Sequence, residues 1–532
     1  MMKILIAEAL PQAAVDLLRE QAETIVSDPE HYTRHLADAD ALVVRNQVAV
    51  TREILERAPH LRAIGRAGVG VENIDVDAAT AAGVLVMSTP GGNAVAVAEH
   101  TLGLMLALAR SIPQASASTK AGRWEEKKFL GHELRGKTLG VVGLGSIGQE
   151  VVRRARAFGM RILASDPFVN SQTAADLDAQ LAGLDTLYAE SDFLTLHVAL
   201  TSDTMLMLND DAFARMKTGV RIVNCARGEL IDADALGRAL ASGKAAGAAL
   251  DVFQTEPPAA GEPLLAMDNV IATPHIGGFT EEAQETVGLR IAAQLVEYLR
   301  GGAAVNAANL PPMTAEQYRS VGPYATLAER LGAFAAHLAA GNPKLVRFVY
   351  FGAPGDTSTH LVRNAGLAGV LSRSLERRAN VVNSVRIAAD RGLDIAERRE
   401  KRGRHADAVR VELETDAGVT AVEGAVVLNR PRLTQVNGIY CEAPLAGHLT
   451  FLRNDDVPGV LGYIGSVMGS NHINIASLSL GRQETPTRPG ATLEAIAVVE
   501  TDQPVPDAVL KHLLENPAIQ FAQCVEFASI SV

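Results

Sequence analysis

Cysteine, tryptophan and long apolar runs are scarce in this chain of 532 residues. Its three cysteines, Cys225, Cys441 and Cys524, show no metal-type spacing, and an odd count indicates reduced thiols, so we expect no metal site. The apolar run at residues 101–109 is too short to span a bilayer, and no signal peptide precedes residues 1–6. These absences predict a cytoplasmic protein without a membrane partner.

Positive charge is also in deficit. The chain has 49 lysines and arginines against 61 aspartates and glutamates, which gives a formal net charge of −12. An acidic chain is poorly suited to nucleic acids and anionic membranes, so we exclude both as main partners. Hydrophobic residues make up 48% of the sequence and charged residues 21%, as in globular proteins, and the length predicts three or four domains.

A glycine-rich turn is the most informative feature that is present. Gly143, Gly145 and Gly148 form a G-x-G-x-x-G pattern between an apolar run at 138–142 and an amphipathic run at 150–158. The first glycine permits a tight turn, the second lets a pyrophosphate approach the backbone, and the third lets helix and strand pack closely. Such a pattern alone also occurs in ordinary loops. Its strand–turn–helix context favours a Rossmann-type nucleotide site.

An acidic residue completes this fingerprint. Asp166 ends the next apolar run, residues 161–165, about 20 positions after the first glycine. A carboxylate in this place accepts hydrogen bonds from a ribose 2′-hydroxyl and repels a 2′-phosphate. The sequence therefore predicts NAD rather than NADP as the cofactor.

The position of the glycine turn indicates how the domains are arranged. Residues 1–98 already alternate strand-like and helical runs, so they form an α/β unit before the turn begins. We therefore predict a nucleotide domain at 99–286 that is inserted into a substrate domain made of 1–98 and 287–305. A helical run at residues 290–299 would return the chain to that first domain.

Two further domains are predicted after a linker. Glycines and prolines at 301–302 and 310–313 mark the linker, and the sequence restarts with an amphipathic helix at 327–338 inside an α+β domain at 311–440. The tail at 447–532 has a βαββαβ order, with a proline-started helix at 457–468. That order is typical of a ferredoxin-like module, a common platform for small ligands.

Three polar side chains follow strand-like runs and could supply chemistry. Taken singly, Arg227 reads as a surface ion pair, Glu256 as a turn residue and His275 as a helix-start residue. In an open parallel sheet, however, side chains beyond the carboxyl ends of the strands face one ligand crevice. Because they follow a nucleotide-binding fingerprint in the chain, the three residues together are the groups expected of an enzyme that oxidises an alcohol.

That reaction assigns a role to each residue. His275 suits the base that takes the hydroxyl proton, because imidazole changes charge near neutral pH. Glu256 would orient the ring and favour imidazolium. Arg227, a permanent cation, can hold a substrate carboxylate beside the reacting carbon. The set therefore predicts a 2-hydroxy acid as the substrate.

The chain resembles the D-2-hydroxyacid dehydrogenase family, and most closely its long-form D-3-phosphoglycerate dehydrogenases. Besides the glycine turn, the matching stretches are residues 65–75, 224–229, 250–258 and 273–278. The resemblance implies catalysis by Arg227, Glu256 and His275. It implies NAD contacts from Val69, Gly143, Gly145, Ser146, Ile147, Gly148, Asp166, Val198, Cys225, Ala226, Arg227, Asp251, His275, Gly277 and Gly278. It implies substrate contacts from Arg45, Arg66, Val69, Gly70 and Asn93, with Arg45 meeting a phosphate.

The resemblance also implies a reaction. The expected activity is NAD-dependent oxidation of 3-phospho-D-glycerate to 3-phosphooxypyruvate, the first step of L-serine biosynthesis. One alternative is another D-2-hydroxyacid dehydrogenase, acting on glyoxylate, hydroxypyruvate or 4-phosphoerythronate. Another is an NAD-sensing protein like the corepressors that share this fold. Activity on 2-oxo acids and the ligand of the intervening domain stay open.

The tail resembles an ACT domain, a regulatory module that binds L-serine in this family. The resemblance places the effector at Asn454, Asp456 and Asn474. The alternative is a dimerisation module that senses nothing, and the expected assembly is a homodimer or homotetramer.

Cys225 has two possible roles. It is either a redox switch beside the cofactor or a small buried residue.

Overall fold

The first unit of the fold is a parallel sheet with helices on both faces. The computed structural model of the chain describes residues 2–356, 359–374, 379–400, 407–485 and 492–527. The elements of this unit are β1 (Lys3–Ile6), α1 (Gln12–Gln21), β2 (Glu23–Val26), β3 (Ala41–Val44), α2 (Arg52–Glu56), β4 (Ala63–Arg66), α3 (Val76–Ala82) and β5 (Leu85–Met87). The strands are all parallel, in the order β2-β1-β3-β4-β5. This is the flavodoxin-like order.

Burial on both faces explains why these strands read as continuous apolar runs. Ile4 and Ile6 pack under α1, whereas Leu5 points to the opposite core, which also contains Leu55 of α2 and Ala79 of α3. Helices cover both faces of such a sheet, so alternation of polar and apolar residues is lost.

The second unit is a larger parallel sheet. Its elements are α4 (Ala94–Arg110), α5 (Ile112–Lys120), β6 (Thr138–Val142), α6 (Ser146–Ala157), β7 (Arg161–Ser165), α7 (Ser171–Asp176), β8 (Gln180–Leu181), α8 (Leu184–Glu190), β9 (Phe193–Leu196), α9 (Asp210–Arg215), β10 (Val220–Asn224), α10 (Ala233–Ala241), β11 (Ala245–Leu250), β12 (Val270–Ala272) and α11 (Glu281–Leu299). The strand order is β12-β11-β10-β9-β6-β7-β8. The glycine turn follows β6, where the strand order reverses, as in a Rossmann-type sheet.

Two helices join the first unit to the second. The helix α4 leaves the first unit and packs against α6, β10 and β11, and α11 returns to pack against α1 and β4. The returning helix is longer than predicted, because it begins at Glu281 with Thr280 as its N-cap rather than at residue 290.

The third unit combines long helices with a mixed sheet. Its elements are α12 (Ala315–Leu338), β13 (Pro343–Phe351), α13 (Ala353–Asp356), α14 (His360–Leu371), α15 (Ser384–Asp390), β14 (Asp394–Glu400), β15 (Ala408–Thr415), β16 (Gly418–Val427), β17 (Arg430–Val436) and β18 (Ile439–Pro444). The strand order is β14-β13-β15-β16-β17-β18. The prediction that the first helix starts at residue 327 was wrong. A capping box between Thr314 and Gln317 starts it at Ala315, and Pro323 lies inside it.

The fourth unit has the predicted βαββαβ order. Its elements are β19 (Gly447–Asp455), α16 (Val460–Ser470), β20 (Ile475–Arg482), β21 (Glu494–Thr501), α17 (Asp507–Leu513) and β22 (Ile519–Phe527). The sheet is antiparallel, in the ferredoxin-like order β20-β21-β19-β22. The helix α16 starts three residues later than predicted, because Gly459 precedes it at a left-handed φ of 95°.

Within the part of the chain that the structure describes, no single helix has both the length and the apolar character needed to cross a membrane. The helices α4 and α5 meet that test only as a pair, by length and composition, and the pair is bent by 64°.

Close helix packing in the third unit generates a prediction about stability. A Cβ at Gly369 of α14 would lie 1.9 Å from the carbonyl oxygen of Glu329 in α12. We expect Gly369→Ala to lower the free energy of unfolding of this unit by at least about 1–3 kcal/mol, since backbone must move to admit the methyl group. Gly462→Ala in α16 is the matched control. It has nothing within 4 Å, so alanine should stabilise by about 0.5–1 kcal/mol. Denaturation followed by circular dichroism checks both, and equal effects would contradict the packing argument.

Candidate active site

A cavity of about 500 Å³ lies where the loops after strands of the first two units meet. Its walls include nine of the residues predicted to bind substrate or cofactor or to catalyse, namely Arg45, Arg66, Val69, Gly70, Asn93, Arg227, Glu256, His275 and Gly278. Residues from both units therefore line a single cavity.

A histidine–carboxylate pair lies in this cavity. The His275 Nδ1 atom is 2.7 Å from Oε2 of Glu256, and the backbone N–H of Phe253 donates to Oε1 of the same carboxylate at 3.1 Å. The His275 side chain is half exposed, so its other ring nitrogen, Nε2, is available to a ligand. A ring held through Nδ1 by a carboxylate can accept a proton at Nε2 and keep its orientation.

A buried carboxylate holds the loop that carries His275. Asp251 is 1% exposed and accepts hydrogen bonds from the Thr273 hydroxyl at 2.6 Å and from the N–H groups of Ile276 and Gly277 at 2.9 and 2.8 Å. The N–H of His275 donates to the Asp251 carbonyl at 2.8 Å. These bonds stabilise the left-handed φ of 53° at His275, which is unfavourable for a residue with a Cβ. Asp251 was predicted from the resemblance as an NAD contact, and this second role was missed.

His100 joins this cluster and was also missed by sequence reasoning. Burial opposes ionisation of Asp251, but hydrogen bonds from His100, Thr273 and the backbone hold its pKa below the usual value. Ligand atoms of His100, Cys225 and Asp251 lie within 4.8 Å of one another. Because burial raises the pKa of Cys225 to about 12, that residue stays a thiol, and both oxygens of Asp251 already accept protein hydrogen bonds. The set suits hydrogen bonding better than metal binding, and the buried thiol favours the structural role of Cys225 over a redox switch.

Arg227 enters the cavity from the loop after β10. Its Nη1 donates to the Ala226 carbonyl at 2.7 Å, and the Asn224 side chain accepts from the Ala226 N–H at 3.0 Å. Its Nε and Nη2 both donate to Glu72, a residue of the loop after β4. The ion pair thus joins the two sheets across the cavity, and Glu72 was not predicted.

Arg45 and Arg66 supply two more cations. Glu8, which is 4% exposed, accepts from the backbone N–H of Arg45 at 2.8 Å and from that of Val48 at 2.9 Å, and so fixes the loop after β3. The Arg45 guanidinium donates to Gln284. Burial lowers the pKa of Arg66, and its Nε is buried without a hydrogen-bond partner among the described residues. Glu8 was missed, although its place at the carboxyl end of β1 is the signal that identified the other site residues.

The glycine turn has the shape that a dinucleotide needs. A Cβ at Gly148 would lie 2.0 Å from the Gly143 carbonyl oxygen, whereas nothing lies within 4 Å of one at Gly145. Close packing therefore requires glycine at position 148, and the space beside Gly145 is open to a phosphate. The carboxylate of Asp166 accepts from the Leu144 N–H at 2.8 Å, which anchors it beside the turn. These residues fit NAD.

The other predicted cofactor residues surround this turn. Ser146 and Ile147 begin α6, so their N–H groups have no partner inside the helix. Val198 packs against Gly143, Cys225 and Ala226 follow β10, and Gly277 is hydrogen-bonded to Asp251. Asn93 lies against Gly278, and its Oδ1 is buried without a hydrogen-bond partner in the described part of the chain.

The predicted effector residues lie in the fourth unit, far along the chain from the cavity. Asn454 is 6% exposed and donates to the Asp455 carbonyl at 2.7 Å. Asp456 accepts from Arg482 at 2.8 Å, and Asn474 donates to Asp502 at 2.7 Å. Each side chain already has a protein partner, so an effector there would have to exchange these bonds.

Two family models match the chain. Residues 102–277 match the D-isomer specific 2-hydroxyacid dehydrogenase NAD binding domain, and residues 320–437 match the D-3-phosphoglycerate dehydrogenase intervening domain. The chain is 41% identical to D-3-phosphoglycerate dehydrogenase of Methanocaldococcus jannaschii, over 98% of this chain and 99% of that one. It is 38% identical to the enzyme of that name from Synechocystis, over 99% and 95%. The chain belongs to the D-3-phosphoglycerate dehydrogenase family.

Solved structures agree with this family assignment. The apo-structure of D-lactate dehydrogenase from Escherichia coli has a TM-score of 0.52 and 31% identity, and it covers 58% of this chain and 100% of its own. D-lactate dehydrogenase from Aquifex aeolicus, complexed with NAD and lactic acid, has a TM-score of 0.50 and 31% identity, over 56% and 96%. The predicted family, the α/β class and the NAD cofactor are confirmed.

A substitution of His275 tests its role in this D-3-phosphoglycerate dehydrogenase family member. We expect His275→Asn to lower kcat by about 10²- to 10⁴-fold, because asparagine cannot take a proton. NAD affinity, measured by calorimetry, should change little, since the glycine turn is untouched. His132→Asn, at an exposed histidine of the second unit, is the control and should keep full turnover. Retained turnover in His275→Asn would remove that histidine from the mechanism.

Proposed function

We propose that the chain oxidises 3-phospho-D-glycerate to 3-phosphooxypyruvate with NAD, the first step of L-serine biosynthesis. The observation that carries this proposal is the convergence of Arg45, Arg66 and Arg227 on a cavity that also contains the His275–Glu256 pair. A substrate with a carboxylate at one end and a phosphate at the other can satisfy these cations, with its hydroxyl-bearing carbon between them.

Different charged groups of the cavity bind the two ends of the substrate. Arg227 and the N–H groups of the loop at Val69 and Gly70 hold the carboxylate, and Arg45 and Arg66 hold the phosphate. Guanidinium groups suit both anions, because they donate two parallel hydrogen bonds and stay charged. Bound at both ends, the hydroxyl-bearing carbon cannot rotate away from His275, which is the positional contribution to catalysis.

Proton transfer falls to the histidine pair. His275 takes the proton of the substrate hydroxyl at Nε2, and Glu256 stabilises the imidazolium that forms. NAD, which Gly143, Gly145, Gly148 and Asp166 would hold, would supply the acceptor for the hydride of C2. Asp251 keeps the loop of His275 in place during this exchange. In the reverse direction His275 returns the proton to the oxygen.

We also propose a division of the chain into four domains with the boundaries given above, namely a substrate domain (1–98 and 287–305), an NAD domain (99–286), an intervening domain (311–440) and an ACT domain (447–532). The four sheets support it, and so do separate cores in the first, second and fourth units, although a further core is shared by the third unit and the strands β19, β21 and β22. Three free cysteines, of which Cys225 and Cys441 are buried, support a reducing, cytoplasmic compartment.

Steady-state kinetics with defined substrates test the reaction. We expect NAD-dependent turnover of 3-phospho-D-glycerate with kcat/KM at least about 100-fold above that for D-lactate or D-glycerate, because the phosphate contacts are lost in these acids. NADP should be a poor substitute, since Asp166 repels its 2′-phosphate. Higher kcat/KM for an unphosphorylated acid would contradict the phosphate roles of Arg45 and Arg66.

Regulation and assembly extend the proposal. L-serine binding at Asn454, Asp456 and Asn474 is supported by their position around the first strand and helix of the ferredoxin-like unit. Self-association into a dimer or tetramer is supported by Trp124 and Leu130, which are 84% and 91% exposed.

A thermal-shift titration tests the effector site. L-serine at ten times its dissociation constant should stabilise the binding unit by about 1.4 kcal/mol and raise its unfolding midpoint. Asn474→Ala should abolish this shift, whereas Lys511→Ala, a change at an exposed position of α17 in the same unit, should leave it intact. A shift that survives Asn474→Ala, or no shift in the natural chain, would contradict serine binding at these residues.

A further inference from the structure

Glu72 is the one carboxylate of the cavity in direct contact with Arg227 among the described residues. Both Nε and Nη2 of Arg227 donate to its Oε1, the former at 2.7 Å. A Cβ at Gly70 would lie 2.1 and 2.3 Å from the two oxygens of Glu72, so this carboxylate lies directly over the Gly70 backbone. It therefore lies where the proposed function puts the substrate carboxylate.

The electrostatics of the cavity keep Glu72 ionised. Burial raises the pKa of Glu72, but Arg227, the backbone N–H and Arg66 outweigh burial and hold the pKa below its usual value. The Glu72 carboxylate in turn opposes the lowering of the Arg66 pKa that burial and the nearby Arg227 cause. This one side chain thus balances two arginines of the cavity.

We propose that Glu72 is an internal competitor for the carboxylate subsite and sets the affinity threshold of the enzyme for its substrate. The inference rests on the proposed function, because it takes Arg227 as the carboxylate-binding group. An incoming carboxylate replaces one ion pair of Arg227 with another of the same kind. That exchange yields little net binding energy, since the charge-assisted hydrogen bonds formed equal those broken.

Because of this exchange, a second anionic group on the ligand determines whether it binds tightly. A 2-hydroxy acid with a single negative charge only displaces the Glu72 carboxylate from Arg227, so it stays weakly bound. A phosphorylated acid makes the same exchange and gains the contacts of Arg45 and Arg66 in addition. Glu72 raises the dissociation constant of every carboxylate by a similar factor, so only ligands with further contacts bind at low concentration.

Glu72→Gln tests the competitor directly, because glutamine keeps the shape and removes the charge. The probe is oxamate, a 2-oxo acid analogue with one carboxylate, titrated by calorimetry into the NAD-loaded protein, so that no turnover is needed. We expect oxamate to bind Glu72→Gln about three- to tenfold more tightly than the natural chain. Glu72→Ala should shift the affinity in the same direction, and circular dichroism verifies that both variants fold.

A matched control separates competition from net charge. Glu229 lines the same cavity and does not contact Arg227 through any described hydrogen bond. Glu229→Gln removes the same charge, and we expect it to change oxamate affinity by less than about twofold. Equal tightening in both variants would reduce the effect to net charge and overturn the proposal.

The remaining outcomes are also decisive. Unchanged or weaker oxamate binding in Glu72→Gln would overturn the proposal, since a competitor cannot be removed without a gain in affinity. If the natural chain fails to oxidise 3-phospho-D-glycerate, the proposed function fails, yet the oxamate titration still reports on Glu72. If turnover is found and the titration shows no gain, the competitor role alone is wrong.

Discussion

The active site depends on the way two parallel sheets end at the same cleft. Parallel strands place all their carboxyl ends at one edge, and α4 and α11 carry the chain from one sheet to the other and back. The loops after β3 and β4 therefore face those after β10 and β12. Arg66 and Arg227 belong to different sheets, yet they line one cavity. Arg45 and Arg66 come from the first sheet and its loops, whereas Arg227, Glu256 and His275 follow strands of the second, so neither sheet alone supplies the full set.

Charge balance is the second constraint on the cavity. Three arginines in a small volume repel one another, and the nearby carboxylates of Glu72 and Glu8 offset part of that repulsion. Glu72 pairs with Arg227, and Glu8 holds the backbone that positions Arg45. Asp251 has a different role, because its buried carboxylate accepts backbone hydrogen bonds from the loop that carries His275. The acids in and behind the cavity thus either neutralise cations or fix the geometry of its loops.

Much of this arrangement could be predicted from sequence, because its signals are local. The glycine turn, Asp166, and the polar residues just after strands all lie within short segments with a known geometry. Glu72 and Arg227, by contrast, are 155 positions apart, and no sequence pattern predicts that they are in contact. The supporting role of His100 depends on where α4 packs, which the sequence did not show. The start of α12 was missed because its first turns are polar and contain Pro323, while a capping box decides the boundary.

We propose above all that this chain removes the C2 hydrogen of 3-phospho-D-glycerate as hydride. Incubation with substrate deuterated at C2 and unlabelled NAD, followed by mass spectrometry of both products, measures this directly. We expect deuterium in the reduced cofactor and none in the 3-phosphooxypyruvate or in the solvent. Deuterium released to water, or recovered only in unreacted phosphoglycerate, would contradict it.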